Sequence, residues 1–242
     1  MSSAGAGSAP PDAGSPHVLV VPGLGLLSYL DPLLRALGPR GLRATVLDVP
    51  GHDRRSRRAT APTVPSIAAA TAAAVMARPS GERLLLLGHS TGAQAALQAA
   101  LLVQDRRRLE AVVLAGPTVA PTQRRLDLLA MAAVAAYRRE SPGELVVLPE
   151  VLRARLRLLT LLRSAIGDRP ERAVPQLSVP LVLTSGRSDA FAPQWWLEVL
   201  AGGATRSPAV LVERLGGSHN NPYTHPDELA ALIGRTLRPA AT

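Results

Sequence analysis

The sequence predicts an α/β protein, with a mostly parallel central sheet, helices on both faces and an inserted helical cap. Three observations carry this expectation. Short apolar runs alternate with stretches of helical spacing, as in a parallel sheet covered by its crossover helices. The alternation stops from about Val119 to Val174, where the pattern is helical only, and then resumes. Finally, Leu84-Leu85-Leu86-Leu87 runs straight into Gly88-His89-Ser90-Thr91-Gly92 and an Ala-rich helix from Ala93 to about Gln104. That is a buried strand turning sharply into a helix.

The chain of 242 residues is long enough for one core with an insertion. We expect residues 1–16 to be a disordered tail, 17–118 and 178–239 to form the α/β core, and 119–177 to form the cap. The first residues are rich in Ser, Ala, Gly and Pro and lack the basic and apolar regions of a signal peptide. No apolar run approaches the roughly 18 residues of a membrane span, so a soluble, cytoplasmic protein is expected. Cysteine is absent, which excludes thiol nucleophiles, disulfides and cysteine-bound metal. Lysine is absent too, which excludes Schiff-base chemistry and a Walker phosphate loop. The formal charge of +9 comes from arginines scattered through every segment, and aromatics make up only 2% of the chain. Without stacking platforms for bases, this pattern argues against nucleic-acid binding.

In chain order, His17 to Val21 is a β-branched strand stopped by Pro22-Gly23-Leu24-Gly25, and a helical pattern follows from about Tyr29 to Leu37. Leu42 to Val49 reads as a second strand, leading through an arginine-studded loop to an Ala-rich helix from about Ser66 to Ala77. The strand and helix around Ser90 come third. Ala111 to Ala115 is a fourth strand, ended by Gly116-Pro117. In the insertion, Leu126, Leu129, Ala133 and Ala136 recur at helical spacing, and Val151 to Leu162 alternates leucine with arginine in blocks. Strands resume at Val179 to Thr184 and Ala209 to Leu215, followed by helices near Pro193 to Leu200 and Pro226 to Leu237.

A serine hydroxyl needs a base within hydrogen-bond reach, and that base needs a carboxylate to fix its tautomer. Ser90 sits at the bend of a G-x-S-x-G turn, where Gly88 and Gly92 relieve crowding. Asp189 and His219 each lie in a loop just past the C-terminal end of a later strand. In open α/β sheets such loops converge on one rim, so the three side chains are expected to meet.

With these residues the chain resembles the α/β-hydrolase fold superfamily, as a serine-nucleophile member with a helical cap. The resemblance covers about Val18 to Pro117 and Val179 to Leu237. It rests on Gly88 to Gly92, on Asp48-Val49-Pro50-Gly51-His52, on the Gly186 to Pro193 acid loop, and on His219 with Pro226-Asp227-Glu228 following. Two positions depart from the family pattern: Asp53 replaces a small residue, and Pro22-Gly23 stands where His-Gly is common. The resemblance implies a triad of Ser90, Asp189 and His219, and an oxyanion hole formed by the backbone N–H groups of Leu24 and Thr91. It implies no metal and no organic cofactor.

The expected reaction is two-step acyl transfer on a small-molecule ester, thioester or lactone with an apolar part. The alternatives are a non-hydrolytic cyclase or lyase, a ligand-binding protein that retains the triad, and a dinucleotide-binding oxidoreductase. The last rests on Gly23 and Gly25 after a strand with Asp48 ending the next, but Ser28 replaces the third glycine and Pro22 removes an N–H. His89 reads as loop support and His52 as a structural group near the rim, while His17 and His225 flank a strand and a helix. Asp168 reads as part of a solvated turn. The insertion carries ten arginines against six acids, which fits a solvated face. The sharper expectation is that Arg153 or Arg157 binds a substrate anion, with Phe191 and Trp195 lining the pocket wall.

Overall fold

The computed structural model describes residues 16–48, 61–103, 106–137 and 148–237. The expected tail through residue 15, the end of the second strand at Val49 and the loop carrying His52 and Asp53 lie outside these residues. Six parallel strands are described: β1 (His17–Val21), β2 (Arg43–Val46), β3 (Leu84–His89), β4 (Leu109–Ala115), β5 (Leu181–Gly186) and β6 (Val210–Leu215). They are ordered β2-β1-β3-β4-β5-β6. The helices between and after them are α1 (Asp31–Leu37), α2 (Val64–Met76), α3 (Thr91–Leu102), α4 (Leu126–Tyr137), α5 (Leu148–Gly167), α6 (Pro170–Ala173), α7 (Gln194–Gly203), α8 (Asn221–Thr224) and α9 (Pro226–Thr236).

The uninterrupted leucines of β3 follow from burial on both faces. Successive side chains of a strand point to opposite sides, so a two-sided core needs apolar residues at every position. Leu84 and Leu86 join one core, with α2, α3 and α7, while Leu85 and Leu87 join the other, with α1 and α9. The same alternation splits Leu19 and Val21 from Val18 and Val20 in β1, and Val112 and Leu114 from Ala111 and Val113 in β4. Each of these central strands thereby ties the two helical layers together.

The chain crosses from β1 to β2 on one side and returns to place β3 on the other side of β1. Such a reversal opens a crevice between the C-terminal ends of the two central strands. One wall is the turn after β1, a tight 3-10 segment over Gly23–Gly25, and the other is the start of α3. Between β4 and β5 the described elements are helical, and α4 and α5 bring Leu129 and Leu161 into the larger core. At the opposite end of the sheet, His17 bonds Thr45 Oγ1 and Glu82, and Arg78 pairs with the same carboxylate. Held by Arg78, Glu82 titrates at about 2. No described helix is long and apolar enough to cross a membrane.

The crevice depends on a close backbone approach. A Cβ on Gly92 would lie 2.3 Å from the Val21 carbonyl oxygen and 2.7 Å from that of Pro22, and one on Gly88 would lie 2.4 Å from the Gly92 oxygen. These neighbours are backbone atoms and cannot rotate away. Gly92→Ala is therefore expected to lower the unfolding free energy by at least about 1–3 kcal/mol, as overpacked sites do. Gly234→Ala, on α9 with nothing within 4 Å, is expected to raise it by about 0.5–1 kcal/mol through lost unfolded-state entropy. Urea unfolding of both variants checks the pair.

Candidate active site

Ser90 joins β3 to α3 with φ 56° and ψ −124°, a conformation that favours glycine. Its N–H donates to the Ala115 carbonyl at the end of β4 at 2.9 Å, which fixes the bend against the neighbouring strand. Leu24, at φ 53°, is the other non-glycine residue with positive φ among the described residues. Both strained positions face the same crevice.

The structure brings Ser90, His219 and Asp189 together. The Asp189 side chain is fully buried and its carboxylate accepts N–H bonds from Phe191 at 2.8 Å and Ala192 at 3.0 Å. His219 Nδ1 lies 3.1 and 3.0 Å from the two carboxylate oxygens. Since a carboxylate only accepts, the imidazole proton sits on Nδ1, and Nε2 is left to accept from the Ser90 hydroxyl at 2.9 Å. Burial alone would push the Asp189 carboxyl up. The charge of His219, with the bonds from His219, Ala192 and Phe191, outweighs that and holds it below the usual carboxylate range. The Phe191 ring packs on the His219 ring at 4.6 Å and restricts its rotation.

A second hydrogen-bonded chain runs beneath the first. The Gly23 N–H donates to the Tyr29 hydroxyl at 2.7 Å, and that hydroxyl donates to His89 Nδ1 at 2.8 Å. His89 Nε2 then donates to the His219 carbonyl at 2.9 Å. The turn after β1 and the loop after β6 are thus joined through one neutral imidazole. Burial, followed by the repulsion of His219, lowers the His89 pKa to about 3. The sequence marks His89 as loop support but marks Tyr29 only as a helix start. An aromatic hydroxyl six residues past Gly23 carries no sequence signal that would have told otherwise.

A cavity of about 260 Å³ opens over Ser90. Beyond the residues already named, its walls are largely apolar: Leu26, Val119, Leu126, Leu129, Leu162 and Phe191. Phe191 lies where the sequence placed it. Trp195 does not: it is 41% exposed and outside the lining, while its neighbour Trp196 is fully buried and donates to the Pro117 carbonyl at 2.9 Å. Arg157 is half-buried on α5 and also lies outside the lining, and the Arg153 side chain lies outside the described residues. The insertion contributes leucines and alanines to the cavity because the α4 face turned toward the crevice carries them.

The expected oxyanion donors are placed differently from each other. Thr91 begins α3, where the first N–H groups have no intrahelical partner, and it lines the cavity. The Leu24 N–H instead donates to the Thr91 hydroxyl at 2.8 Å. Of the competing residues, His17 is at the far end of the sheet and His225 packs against Gly216 and Gly217. Asp168 is not in a solvated turn: it follows α5, accepts from Gln98 Nε2 at 3.2 Å, and burial raises its pKa. Among the described residues no three His, Asp or Glu side chains gather as a metal site.

The model for the family described as "Alpha/beta hydrolase family" matches residues 18–232. Similar solved structures include the RedJ thioesterase of the prodiginine pathway of Streptomyces coelicolor, at 23% identity, a TM-score of 0.70, and coverage of 98% of this chain and 91% of that one. The enol-lactonase of Burkholderia xenovorans LB400 is similar at 19% identity and a TM-score of 0.65, with 92% and 91% covered. A thermophilic esterase of Thermogutta terrifontis follows at 22% identity and a TM-score of 0.64, with 93% and 90% covered. No curated protein matches the sequence.

The neutral His89 makes stability depend on pH. The folded state holds its pKa near 3 against an ordinary 6.5, so between these values the unfolded chain binds a proton that the folded chain refuses. The stability from neutral His89 is complete above pH 6.5 and is lost as the pH falls toward 3, by up to about 1.4 kcal/mol per pH unit. Denaturant unfolding from pH 7 to 4 is expected to show a shallower decline in His89→Gln than in the parent protein.

Proposed function

The chain belongs to the alpha/beta hydrolase family, and from that premise we propose that it is a serine hydrolase acting on carboxylic esters or thioesters with an apolar acyl group. The observation that carries this reading is the Ser90 hydroxyl at 2.9 Å from a histidine whose other nitrogen faces a buried carboxylate. His219 takes the Ser90 proton as Oγ attacks the acyl carbon, and Asp189 holds the tautomer and stabilises the imidazolium that forms. The same imidazolium then protonates the departing alcohol or thiol. Water, deprotonated by His219, attacks the acyl-enzyme in the second half and releases the acid.

The substrate class follows from the walls. Leucines, alanines, Val119 and Phe191 line the cavity, and Arg157 lies outside it. Such a site gains from each buried methylene, and among the described residues no arginine lines it to meet a substrate carboxylate or phosphate. Thioesterase, esterase and lactonase relatives share this fold, and their named substrate classes all present an acyl carbon to a nucleophile. The helical insertion acts as a cap that keeps water from the acyl chain.

Hydrolysis of p-nitrophenyl esters tests this. Ser90→Ala and His219→Ala are each expected to lower kcat by at least about 10⁴-fold, as loss of a triad member does. From acetate to hexanoate, kcat/KM is expected to rise about fourfold per methylene, the worth of about 0.8 kcal/mol of burial. Turnover that survives in Ser90→Ala would contradict the mechanism, and a preference for anionic over neutral acyl groups would contradict the substrate class.

A further inference from the structure

The turn after β1 has few amides to offer a substrate. The Gly23 N–H is held by the Tyr29 hydroxyl at 2.7 Å, and the Leu24 N–H is held by Thr91 Oγ1 at 2.8 Å. Yet the attacked carbonyl needs more than one donor where its negative charge develops. The hydroxyl that occupies the Leu24 amide has a donor of its own. A threonine oxygen accepts through its lone pairs and donates one proton, and the Thr91 proton has no acceptor among the described residues.

We propose that the Thr91 side-chain hydroxyl is the second oxyanion donor of this site, a catalytic residue that bonds the developing oxyanion through its O–H while the Leu24 N–H polarises its oxygen. The assignment rests on the acyl-transfer reading of Ser90 and His219. Its placement fits: Thr91 directly follows the nucleophile, is 3% exposed, and lines the cavity beside Ser90. Its backbone N–H and its hydroxyl then converge from one residue at the positive end of α3. A donor chain running from N–H to O–H to oxyanion strengthens each link, because each bond polarises the next.

The surroundings pre-organise this chain. Leu24 is fixed in a left-handed conformation, and the Tyr29–His89 chain anchors Gly23 immediately before it. The amide therefore holds the Thr91 oxygen in place before substrate arrives. In the attack step the bond between Ser90 Oγ and the acyl carbon forms, the carbonyl π pair moves onto oxygen, and the Ser90 proton passes to His219 Nε2. Thr91 keeps its proton throughout and donates a hydrogen bond only. When the tetrahedral intermediate collapses, the pair returns to the carbonyl and the leaving group departs with the proton from His219.

The test uses Thr91→Val, which keeps the branched shape and removes the hydroxyl, with Thr91→Ser, Thr91→Ala and Ser90→Ala alongside. Thermal unfolding verifies that each folds. For p-nitrophenyl butyrate, Thr91→Val and Thr91→Ala are expected to lose about 100-fold in kcat, the scale of one oxyanion donor, with KM changed by less than about threefold. Thr91→Ser is expected to recover most of the rate. An alkyl trifluoromethyl ketone, which binds serine as a tetrahedral oxyanion, is expected to weaken about 100-fold in Thr91→Val, in step with kcat. Thr91→Val or Thr91→Ala at least as fast as the parent would overturn the proposal, since the hydroxyl would then merely occupy the Leu24 amide. So would a Thr91→Ser variant as slow as Thr91→Val, or an unchanged trifluoromethyl ketone affinity. If the parent and Ser90→Ala turn over equally, the acyl-transfer reading falls and takes this one with it. Loss in Ser90→Ala with full activity in Thr91→Val overturns the Thr91 assignment alone.

Discussion

The contact on which the site depends is the backbone of α3 pressed against the carbonyl end of β1. Gly92 lies so close to Val21 and Pro22 that even a methyl group would clash, and this proximity forces the chain at Ser90 through a left-handed bend. A serine in that conformation costs of order 1–3 kcal/mol, which the flanking buried strand and helix must offset. What the strain achieves is direction. With β3 and α3 fixed in the core, the hydroxyl projects from the sheet at the crevice between β1 and β3, where the loops after β5 and β6 also end.

The other groups are held by polar chains more than by packing. Asp189 is fixed by two loop amides, His219 by Asp189 and by Phe191 against its face, and the turn after β1 by Tyr29. His89 links that turn to the backbone of His219 itself. A buried neutral imidazole suits this link, because it donates from one nitrogen and accepts at the other, and burial keeps it from charging beside a second histidine. The helical insertion adds apolar walls to the cavity above these polar chains.

Most of the fold was legible because burial writes itself into the sequence with a known period. All six described strands fall within three residues of apolar runs seen in the sequence, and the described elements between β4 and β5 are helical, where the alternation stops. Ser90, Asp189 and His219 were legible through their position after strand ends. What escaped was set by tertiary contacts with no local signature. Nothing in Ser28-Tyr29-Leu30 announces that the phenol reaches His89, and nothing in Ser90-Thr91 announces that the hydroxyl takes the Leu24 amide. Trp195 and Trp196 are adjacent in sequence, so only the helix rotation decides which is buried, and rotation likewise decides that Arg157 is not among the residues lining the cavity. The structure also binds Asp168 to Gln98, seventy residues away, where the sequence suggested only a turn.

The chemistry of the site requires that this geometry activate Ser90. A fluorophosphonate probe reports it directly, since the serine oxygen displaces fluoride only when a base removes its proton. Intact-protein mass spectrometry followed by peptide mapping is expected to find one adduct per chain, on Ser90, formed at least about 100-fold more slowly in His219→Ala. No adduct on the folded protein, or one that forms as fast without His219, would contradict the account.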